Sequence, residues 1–330
     1  MQMRKLGMTG PEVSALGLGC MGMSDMYGPA DRAESLATID AAVAAGITLL
    51  DTGDFYGMGH NEMLIGEALK RHRRDDLVLS VKYGALRSPE GAFLGYDARP
   101  IATRSALAYS LQRLGVDHID IYRPSRLDPA VPIEDTIGAI AELVQAGYVR
   151  HIGLSEVGSE TIRRAAAVHP ICDLQIEYSL LSRGIEDGIL DTCRELGIGI
   201  TAYGVLARGL IGGHITAAPE GRDFRGMTPR FQGENLEQNL RLGEALRAAA
   251  EAAGVTPAQA AIAWVASRGD DIVPLVGARR RERLTEALEA LEAPLTAAEL
   301  ASFEAAVPRG AAAGERYPSA LMAHLDSEKG

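Results

Sequence analysis

The chain repeats one pattern: a short apolar run, a polar or glycine break, and then a segment with helical spacing of apolar residues. Eight of the apolar runs are rich in Ile, Val and Leu and alternate little, which is typical of parallel strands covered on both faces. These runs lie at 13–19, 47–52, 77–84, 119–124, 149–156, 173–179, 197–204 and 271–278. Eight strand–helix units in a chain of this length predict an α/β fold of the (β/α)8 TIM-barrel type.

The helical segments carry their own end signals. A glycine just past a helix and before a strand marks the expected junction between the two, and Gly46, Gly115, Gly147 and Gly197 stand at such places. The helical segments that end there are 32–45, 103–114, 134–146 and 187–196; a fifth covers 60–71. Two further helices are predicted from an N-cap with proline at Thr256-Pro257 and from a capping box at Thr296 and Glu299.

The rest of the chain adds a hairpin and three irregular segments. Residues 5–17, "KLGMTGPEVSALG", predict an N-terminal β-hairpin ahead of the first barrel strand. Segments 84–100, 212–235 and 308–330 are irregular, and we expect extra helices and loops at the carboxyl face of the barrel, where such segments carry specificity. Because no linker or composition shift interrupts the pattern, residues 1–330 are predicted to form one domain.

Composition narrows the class of protein. The 330 residues carry 33 Lys and Arg against 44 Asp and Glu, a formal net charge of -11, which argues against nucleic acid as the main partner. Three scattered cysteines without a CxxC pair predict neither a disulfide framework nor a metal site. No signal peptide and no apolar run of membrane-spanning length stand out, so a cytoplasmic location and no membrane partner are expected.

Three polar residues follow neighbouring strands. Asp51 ends the second apolar run, Tyr56 lies in the loop behind it, and Lys82 ends the third. In a barrel these strand ends adjoin at the catalytic face, so an acid, a phenol and an ammonium group could meet there. A nearby ammonium group lowers the pKa of a tyrosine, and a carboxylate keeps that ammonium charged and in place. The alternative is an ion pair that caps two strands, with Tyr56 as a packing ring.

Two glycine-rich stretches need separate interpretations. "GLGCMG" at 17–22 fits the dinucleotide-binding spacing, but no helix opens directly behind it, which favours a strand-to-loop junction. "TAYGVLARGLIGG" at 201–213 places Tyr203 at a strand end before a run of small residues. Its ring could stack on a flat ligand and the loop amides could meet a pyrophosphate. A flexible loop above a buried tyrosine is the alternative.

Four arginines stand within five positions after the eighth apolar run, at 279, 280, 281 and 283. Loops at this place in a barrel, together with a helix N-terminus, often bind phosphate, and guanidinium groups match phosphate oxygens in pairs. Cations at a helix N-terminus oppose the helix dipole, so a bound anion would offset that mismatch. A solvated helix start is the alternative.

Taken together, these stretches resemble the aldo-keto reductases. The resemblance runs almost from end to end, and the text at 223–240 resembles a bacterial, NADP-dependent branch. The resemblance rests on six stretches: "LLDTGDFYGMGHNEMLIGEAL" (49–69), "LSVKYG" (79–84), "IGLSE" (152–156), "LQIEYSLLSR" (174–183), "TAYGVLARG" (201–209) and "VPLVGARRRERLTEAL" (273–288).

The resemblance implies a barrel that binds NADPH across its carboxyl mouth. Tyr56 would be the general acid, Lys82 its activator and Asp51 the partner of Lys82. The implied cofactor-binding residues are Cys20, Met21, Asp51, Ser155, Glu156, Gln175, Tyr203, Gly204, Leu206, Arg208, Gly209, Gly277, Arg279, Arg280, Arg283 and Glu286. Among them Ser155 and Gln175 would hold the carboxamide, Tyr203 would stack on the nicotinamide, and the arginines would receive the 2′-phosphate.

Three positions depart from the family pattern. Glu156 and Ala287 stand where many members have asparagine. The fourth catalytic residue of the family is a histidine in text such as "YQLHR", and here "YRPSR" places Ser125 in that position. A serine hydroxyl can still donate a hydrogen bond but cannot carry charge. Arg123 and Arg126 flank it, and either could supply a positive donor.

The expected function is NADPH-dependent reduction of an aldehyde or ketone to an alcohol, with a small carbonyl compound as substrate. Two alternatives stay open. The first is an NADPH-binding sensor or regulatory subunit with weak catalysis, which the serine at position 125 supports. The second is a phosphate-binding lyase or isomerase that uses Lys82 to form a Schiff base, which leaves Tyr203 and Gln175 without a role.

Overall fold

A closed barrel of eight parallel strands forms the centre of the molecule. The computed structural model describes residues 1–221, 223–293 and 295–329, so Arg222 in segment 212–235 and Gly330 in segment 308–330 lie outside the described residues. In chain order the strands are β1 (Met3–Lys5), β2 (Glu12–Ser14), β3 (Gly17–Gly19), β4 (Leu49–Gly53), β5 (Val78–Tyr83), β6 (Ala85–Arg87), β7 (Phe93–Tyr96), β8 (Ile119–Pro124), β9 (Val149–Ser155), β10 (Ile171–Glu177), β11 (Gly199–Tyr203) and β12 (Ile272–Gly277).

Helices surround the barrel. They are α1 (Arg32–Ala44), α2 (His60–Leu69), α3 (Pro100–Leu114), α4 (Ile133–Gln145), α5 (Ser159–Val168), α6 (Ile189–Leu196), α7 (Gly233–Ala252), α8 (Pro257–Ala266), α9 (Arg281–Glu289), α10 (Ala297–Ala306) and α11 (Ser319–Met322). The barrel strands follow the order β3, β4, β5, β8, β9, β10, β11, β12, and β12 pairs with β3 to close the ring. The predicted (β/α)8 barrel is confirmed. Within the described residues, no helix is both long and apolar enough to span a bilayer.

The predicted N-terminal hairpin is also confirmed and covers the amino end of the barrel. Strands β1 and β2 pair antiparallel, and Leu6 and Val13 of this hairpin pack against Leu49 and Ile121 inside the barrel. The first apolar run thus splits between the hairpin and the barrel. Its second half becomes β3, because the chain must turn from the hairpin into the barrel near residue 15.

Other helix and strand boundaries differ from the predicted ones for reasons that the sequence explains. Helix α3 begins at Pro100, three residues before the predicted start, since a proline is well placed in a first helical turn. Segment 84–100, expected to be irregular, contains the hairpin β6–β7. The predicted capping box at Thr296 and the predicted N-cap at Thr256 are both present, and Thr256 also forms a capping box with Gln259.

Polarity inside the barrel rises from the amino end to the carboxyl end. The lower interior is apolar and contains Leu49, Ile121 and Val273. The next inward-facing positions are polar because alternate residues of a strand point to the same side. They place Ser80, Asp173 and Thr201 in a hydrogen-bonded layer below the mouth. The chemistry-bearing side chains therefore gather at the carboxyl end.

Candidate active site

An ion pair between Asp51 and Lys82 lies at the centre of the barrel mouth. Strands β4 and β5 are neighbours in the barrel, so their last inward-facing residues meet, and the Lys82 Nζ donates to Asp51 Oδ1. The other oxygen of Asp51 accepts from Ser80 Oγ at 2.8 Å and from Gln175 Nε2 at 2.7 Å. Burial lowers the pKa of Lys82, and the charge of Asp51 acts against that effect.

Tyr56 follows β4 in a short turn and points its ring toward this pair. It is 6% exposed, and the Lys82 Nζ lies 5.2 Å from the centre of its ring. Burial, followed by the charge of Asp51, raises the pKa of Tyr56 well above its ordinary value. The sequence predicted a lowered pKa for this tyrosine, whereas in this structure the pKa is raised, because burial is the largest effect on it. The phenol stays protonated at neutral pH, as a proton donor must.

The "YRPSR" stretch separates its two arginines. Arg123 points into the barrel, where its guanidinium donates to Asp173 Oδ2 at 2.9 Å and to Ser80 Oγ at 3.0 Å. Gly153 makes room for this pair, since a Cβ there would lie 2.6 Å from Asp173 Oδ1. Arg126 lies at the mouth, and its Nη1 donates to Ser125 O at 2.5 Å and to Ser155 Oγ at 3.4 Å. Arg126 is thus the arginine that faces the site.

Ser125 directly follows β8 at the barrel mouth. It is 2% exposed, and its backbone N–H donates to Tyr83 O at 2.8 Å. Within the described part of the chain, the Ser125 Oγ has no hydrogen-bond partner. A buried hydroxyl without a partner is costly unless a ligand completes it. The residue is therefore free to donate to a bound molecule.

The residues expected to hold a nicotinamide ring lie at or near the carboxyl ends of three adjacent strands. Ser155, Gln175 and Tyr203 come from β9, β10 and β11, which pair in that order. The Tyr203 hydroxyl donates to Glu156 Oε1 at 2.6 Å. Burial and the charge of Glu156 raise the pKa of Tyr203, so this hydroxyl is a proton donor and not a phenolate. The structure brings these predicted residues together.

Glu156 anchors the C-terminal segment of the chain. Its backbone is left-handed, with φ of 54°, which is uncommon for a residue with a side chain. Burial would raise the pKa of its carboxyl group, but the paired guanidinium of Arg316 holds that pKa well below its usual range. Ser327 Oγ donates to the same carboxylate at 2.7 Å. In this structure the carboxylate thus binds the chain's own tail, and its predicted contact with a cofactor stays a prediction.

A second buried carboxylate, Glu177 at the end of β10, joins this network. Burial would raise its pKa, but the guanidinium groups of Arg208, Arg316 and Arg230 lower it. Arg208 Nη2 donates to Glu177 at 3.2 Å, and its Nη1 donates to Arg316 O at 2.5 Å. The loop that holds Arg208 needs its glycines, because Gly204 and Gly209 have φ of 69° and 101°. Leu206, half-buried, lies between them.

The arginine cluster borders a cavity of about 390 Å³ beside the N-terminus of α9. Arg279 Nη1 donates to Gly28 O at 2.8 Å, and Arg281 pairs with Glu34 of α1 at 2.9 Å. Arg280 is exposed and lines the cavity, and Arg283 contacts Glu286 at 3.2 Å. The cavity thus carries the positive charges of Arg279 and Arg280 and two carboxylates, of which Glu34 pairs with Arg281 and Asp31 accepts from the N–H of Glu34.

The remaining predicted cofactor residues lie around the same rim. Cys20 and Met21 follow β3, and the Cys20 N–H donates to Asp51 O at 3.0 Å. Burial raises the pKa of the Cys20 thiol, which makes it inert rather than nucleophilic. Gly277 ends β12, and Glu286 accepts from Thr256 Oγ1 at 2.9 Å.

Sequence reasoning missed the part that the C-terminal segment plays. Arg316 is 6% exposed, and the Tyr317 hydroxyl lies 3.0 Å from that of Tyr203. Both residues come from segment 308–330, which has no periodic pattern to place it. Glu177 was also missed, although a glutamate at the end of a buried strand, in "LQIEYS", was a usable signal.

Comparisons with known proteins agree with this geometry. The model of the Aldo/keto reductase family matches residues 15–308. The chain is 42% identical over 320 residues to probable aldo-keto reductase 1 from Glycine max, covering 96% of this chain and 92% of the relative. A glycerol dehydrogenase from Gluconobacter oxydans superimposes with a TM-score of 0.83 at 26% identity, covering 98% of this chain and 96% of that one.

A third relative is an aldo-keto reductase from Bacillus halodurans, with a TM-score of 0.77 at 29% identity and coverage of 93% of this chain and 96% of that one. Sequence match and barrel geometry agree over almost the whole length. A nicotinamide-dependent oxidoreduction of carbonyl compounds is the chemistry that this agreement supports, and the chain belongs to the aldo/keto reductase family.

Proposed function

We propose that the chain is an NADPH-dependent carbonyl reductase in which Tyr56 protonates the substrate oxygen. The observation that carries the proposal is a protonated, buried Tyr56 beside the Lys82–Asp51 ion pair at the barrel mouth. NADPH would supply the hydride when bound. Ser155, Gln175 and Tyr203 would hold its nicotinamide end, since they lie near the carboxyl ends of three adjacent strands and Gln175 donates to Asp51 of this pair.

The proton moves from Tyr56 as charge develops on the carbonyl oxygen. The raised pKa keeps the proton on the phenol until then. The positive charge of Lys82 stabilises the phenolate that forms, because a buried charge acts over a low dielectric. Asp51 keeps Lys82 charged and fixed, and its own position is set by Ser80 and Gln175. The free hydroxyl of Ser125 is suited to orient the carbonyl oxygen.

The adenosine end of NADPH fits the arginine cluster. The cavity there is lined by Arg279 and Arg280, and it opens beside a helix N-terminus. Guanidinium groups and free N–H groups at a helix N-terminus both favour a phosphate. Arg280 and Arg283 would receive the 2′-phosphate, which NADH lacks. The loop at Gly204–Gly209 and Arg208 would line the path between the two ends.

The replacement Tyr56→Phe tests the proposal. It should lower kcat for reduction of a reactive aldehyde such as 4-nitrobenzaldehyde by about 10²–10⁴-fold, because a general acid contributes on that order. Turnover is measured from NADPH absorbance, and NADPH binding by fluorescence titration should persist. Tyr109→Phe, which removes an exposed phenol on α3, is the matched control and should keep wild-type turnover.

Three results would argue against the proposal. Wild-type kcat in Tyr56→Phe would mean that another group donates the proton. NADPH binding by the wild type without turnover of any carbonyl compound would favour the sensor alternative. Trapping of a substrate on Lys82 by borohydride would favour the Schiff-base alternative.

A further inference from the structure

We infer that the natural substrate carries a carboxylate as well as its carbonyl group, and that Arg126 binds this carboxylate. The inference rests on the proposed function, since it places the substrate at the same mouth. It adds the substrate class, which neither the fold nor the proton donor determines.

Arg126 has only neutral partners. Its Nη1 donates to Ser125 O and to Ser155 Oγ, at 2.5 and 3.4 Å, and its Nη2 lies 3.5 Å from the Tyr317 hydroxyl. Two of the three contacts are long. No carboxylate lies within 4.0 Å of its guanidinium in the described part of the chain. A half-buried guanidinium without an anion has lost hydration that nothing in the protein replaces.

Among the described residues of the mouth, every other buried cation has an acidic partner. Arg123 pairs with Asp173, and Lys82 pairs with Asp51. The three arginines around the tail are matched by three carboxylates, so the network that joins Arg208, Arg230 and Arg316 to Glu156, Glu177 and Glu328 is neutral. Among the described residues of this region, Arg126 is the one buried cation whose charge is not matched by a carboxylate.

The groups that face Arg126 do not neutralise it. Burial raises the pKa of Tyr203 and of Tyr96, so both phenols are uncharged at neutral pH. The charge of Glu156 acts on Arg126 and raises its pKa, but the carboxylate of Glu156 itself binds Arg316. One uncompensated positive charge matches a single carboxylate, and the planar guanidinium fork suits its two oxygens.

Arg126 is also close enough to the chemistry to bind the same molecule. It follows Ser125 and contacts Ser155. Its charge lowers the pKa of Tyr56 against the larger effect of burial, and it adds to the effect of burial in lowering the pKa of Lys82. An anion at Arg126 and a carbonyl oxygen at Tyr56 can therefore belong to one small substrate. Tyr317 would form part of the wall, with its ring centre 5.9 Å from the Arg126 guanidinium carbon.

The test compares the three formylbenzoates with their methyl esters. Each pair has the same ring and aldehyde and differs in the negative charge, and the ortho, meta and para isomers vary the distance between charge and carbonyl. In the wild type, kcat/KM with NADPH should favour at least one acid over its ester by about 10-fold or more. Arg126→Gln should reduce that ratio by about 10–100-fold, mainly through KM, because a hydrogen bond to a charged group is lost. Arg126→Lys should retain part of the preference.

Arg73→Gln is the control, since Arg73 is an exposed arginine in the loop that precedes β5, at the opposite end of the barrel. It should leave the acid-to-ester ratio unchanged. If Arg126→Gln slows acids and esters equally, Arg126 serves the reaction or the fold and the inference is wrong, whereas the proposed function stands.

Isothermal titration calorimetry keeps the inference testable without turnover. Wild-type protein with NADP⁺ should bind 4-(hydroxymethyl)benzoate at least 10-fold more tightly than its methyl ester, and Arg126→Gln should lose this difference. If no aldehyde is reduced but the difference in binding is present, the proposed function fails and the anion site stands. Equal binding of acid and ester by the wild type would overturn the anion site.

Discussion

At the scale of single residues, two carboxyl groups of this barrel respond to burial in opposite ways. Glu156 is fully buried, but Arg316 pairs with it and holds its pKa below the usual range. Within the described parts of the chain, Asp54 forms no ion pair with a cation. Burial and the nearby Glu62 raise the pKa of Asp54 to about 7, and its strongest compensating contact is a weak one, a 3.3 Å bond from the N–H of Gly84. Partners, and not burial alone, decide whether an acid stabilises the fold.

Asp54 should therefore cost stability at neutral pH. Its pKa is about 7 in the folded state against an ordinary value of 3.8, so the folded state binds more protons between these values and stability falls as pH rises through that window. Asp54→Asn has no carboxyl group at this position and therefore removes this loss of stability. The free energy of unfolding should rise at pH 8, by at most about 4 kcal/mol, and change little at pH 4.

Urea denaturation at pH 4, 6 and 8 measures this effect. Asp75→Asn, at an exposed position before β5, is the control and should give the same curve as the wild type at each pH. A gain in Asp54→Asn of the same size at all three pH values would mean that the effect is not electrostatic.

At the scale of elements, helix α9 begins against its own dipole. Arg280 is its N-cap without a capping bond, and Arg281 and Arg283 lie in its first turn. One N–H at this end is satisfied from another helix, because Glu34 of α1 accepts from the Arg281 N–H at 3.0 Å. Arg280, whose guanidinium forms no ion pair with a described residue, lines the cavity at this end of the helix. A helix start of this kind is suited to select a ligand with an additional phosphate.

The double replacement of Arg280 and Arg283 by Ala should weaken NADPH binding by on the order of 10²-fold relative to NADH, since charge-assisted bonds to the 2′-phosphate are lost. The ratio of the two dissociation constants, from fluorescence titration, is the measurement. Arg73→Ala should leave the ratio unchanged. An equal loss of affinity for both cofactors would show that the arginines support the fold of α9 and do not bind the 2′-phosphate.

At the scale of the whole molecule, the C-terminal segment is held across the barrel mouth. Arg316 bonds to Glu156, which directly follows β9, and to Glu177, which ends β10; Arg208 holds the backbone of Arg316. The segment thus ties together strand ends that lie far from it in sequence. Tyr317 then stands beside Tyr203 and Arg126, so the tail forms one wall of the candidate site.

Arg316→Ala should destabilise the protein by about 3–5 kcal/mol, because buried carboxylates lose their partner. The carboxyl group of Glu156 has a lowered pKa in the folded state, so its contribution is complete above pH 4.5 and is lost as pH falls below that value. The difference in the free energy of unfolding between wild type and Arg316→Ala should therefore become smaller at low pH. Urea denaturation at pH 7 and pH 3.5 measures it.

Arg309→Ala is the matched control, since Arg309 is a tail arginine whose ion pair with Asp187 is exposed. It should cost less than about 1 kcal/mol. Limited proteolysis should cut the tail faster in Arg316→Ala than in Arg309→Ala. Equal stability and equal cleavage of the two variants would show that the buried network does not hold the tail.

The sequence alone determined the barrel and the strand ends that carry its chemistry. Apolar period, glycine breaks and capping residues are local signals, and they placed all eight barrel strands to within a few residues. Asp51 and Lys82 could be predicted to meet because they end successive strands, and parallel strand ends share one face. The hairpin β6–β7 was not predicted, because its short strands lack a periodic pattern.

Only the tertiary structure decided how the site is charged. The sequence could not tell which arginine of "YRPSR" faces the mouth, since that depends on the register of β8 between β5 and β9. Nor could it show that burial raises the pKa of Tyr56, because desolvation depends on neighbours from several strands. The pairing of Arg316 with Glu156 joins residues 160 positions apart, and a local pattern carries no information about contacts made by a chain that returns to its own barrel.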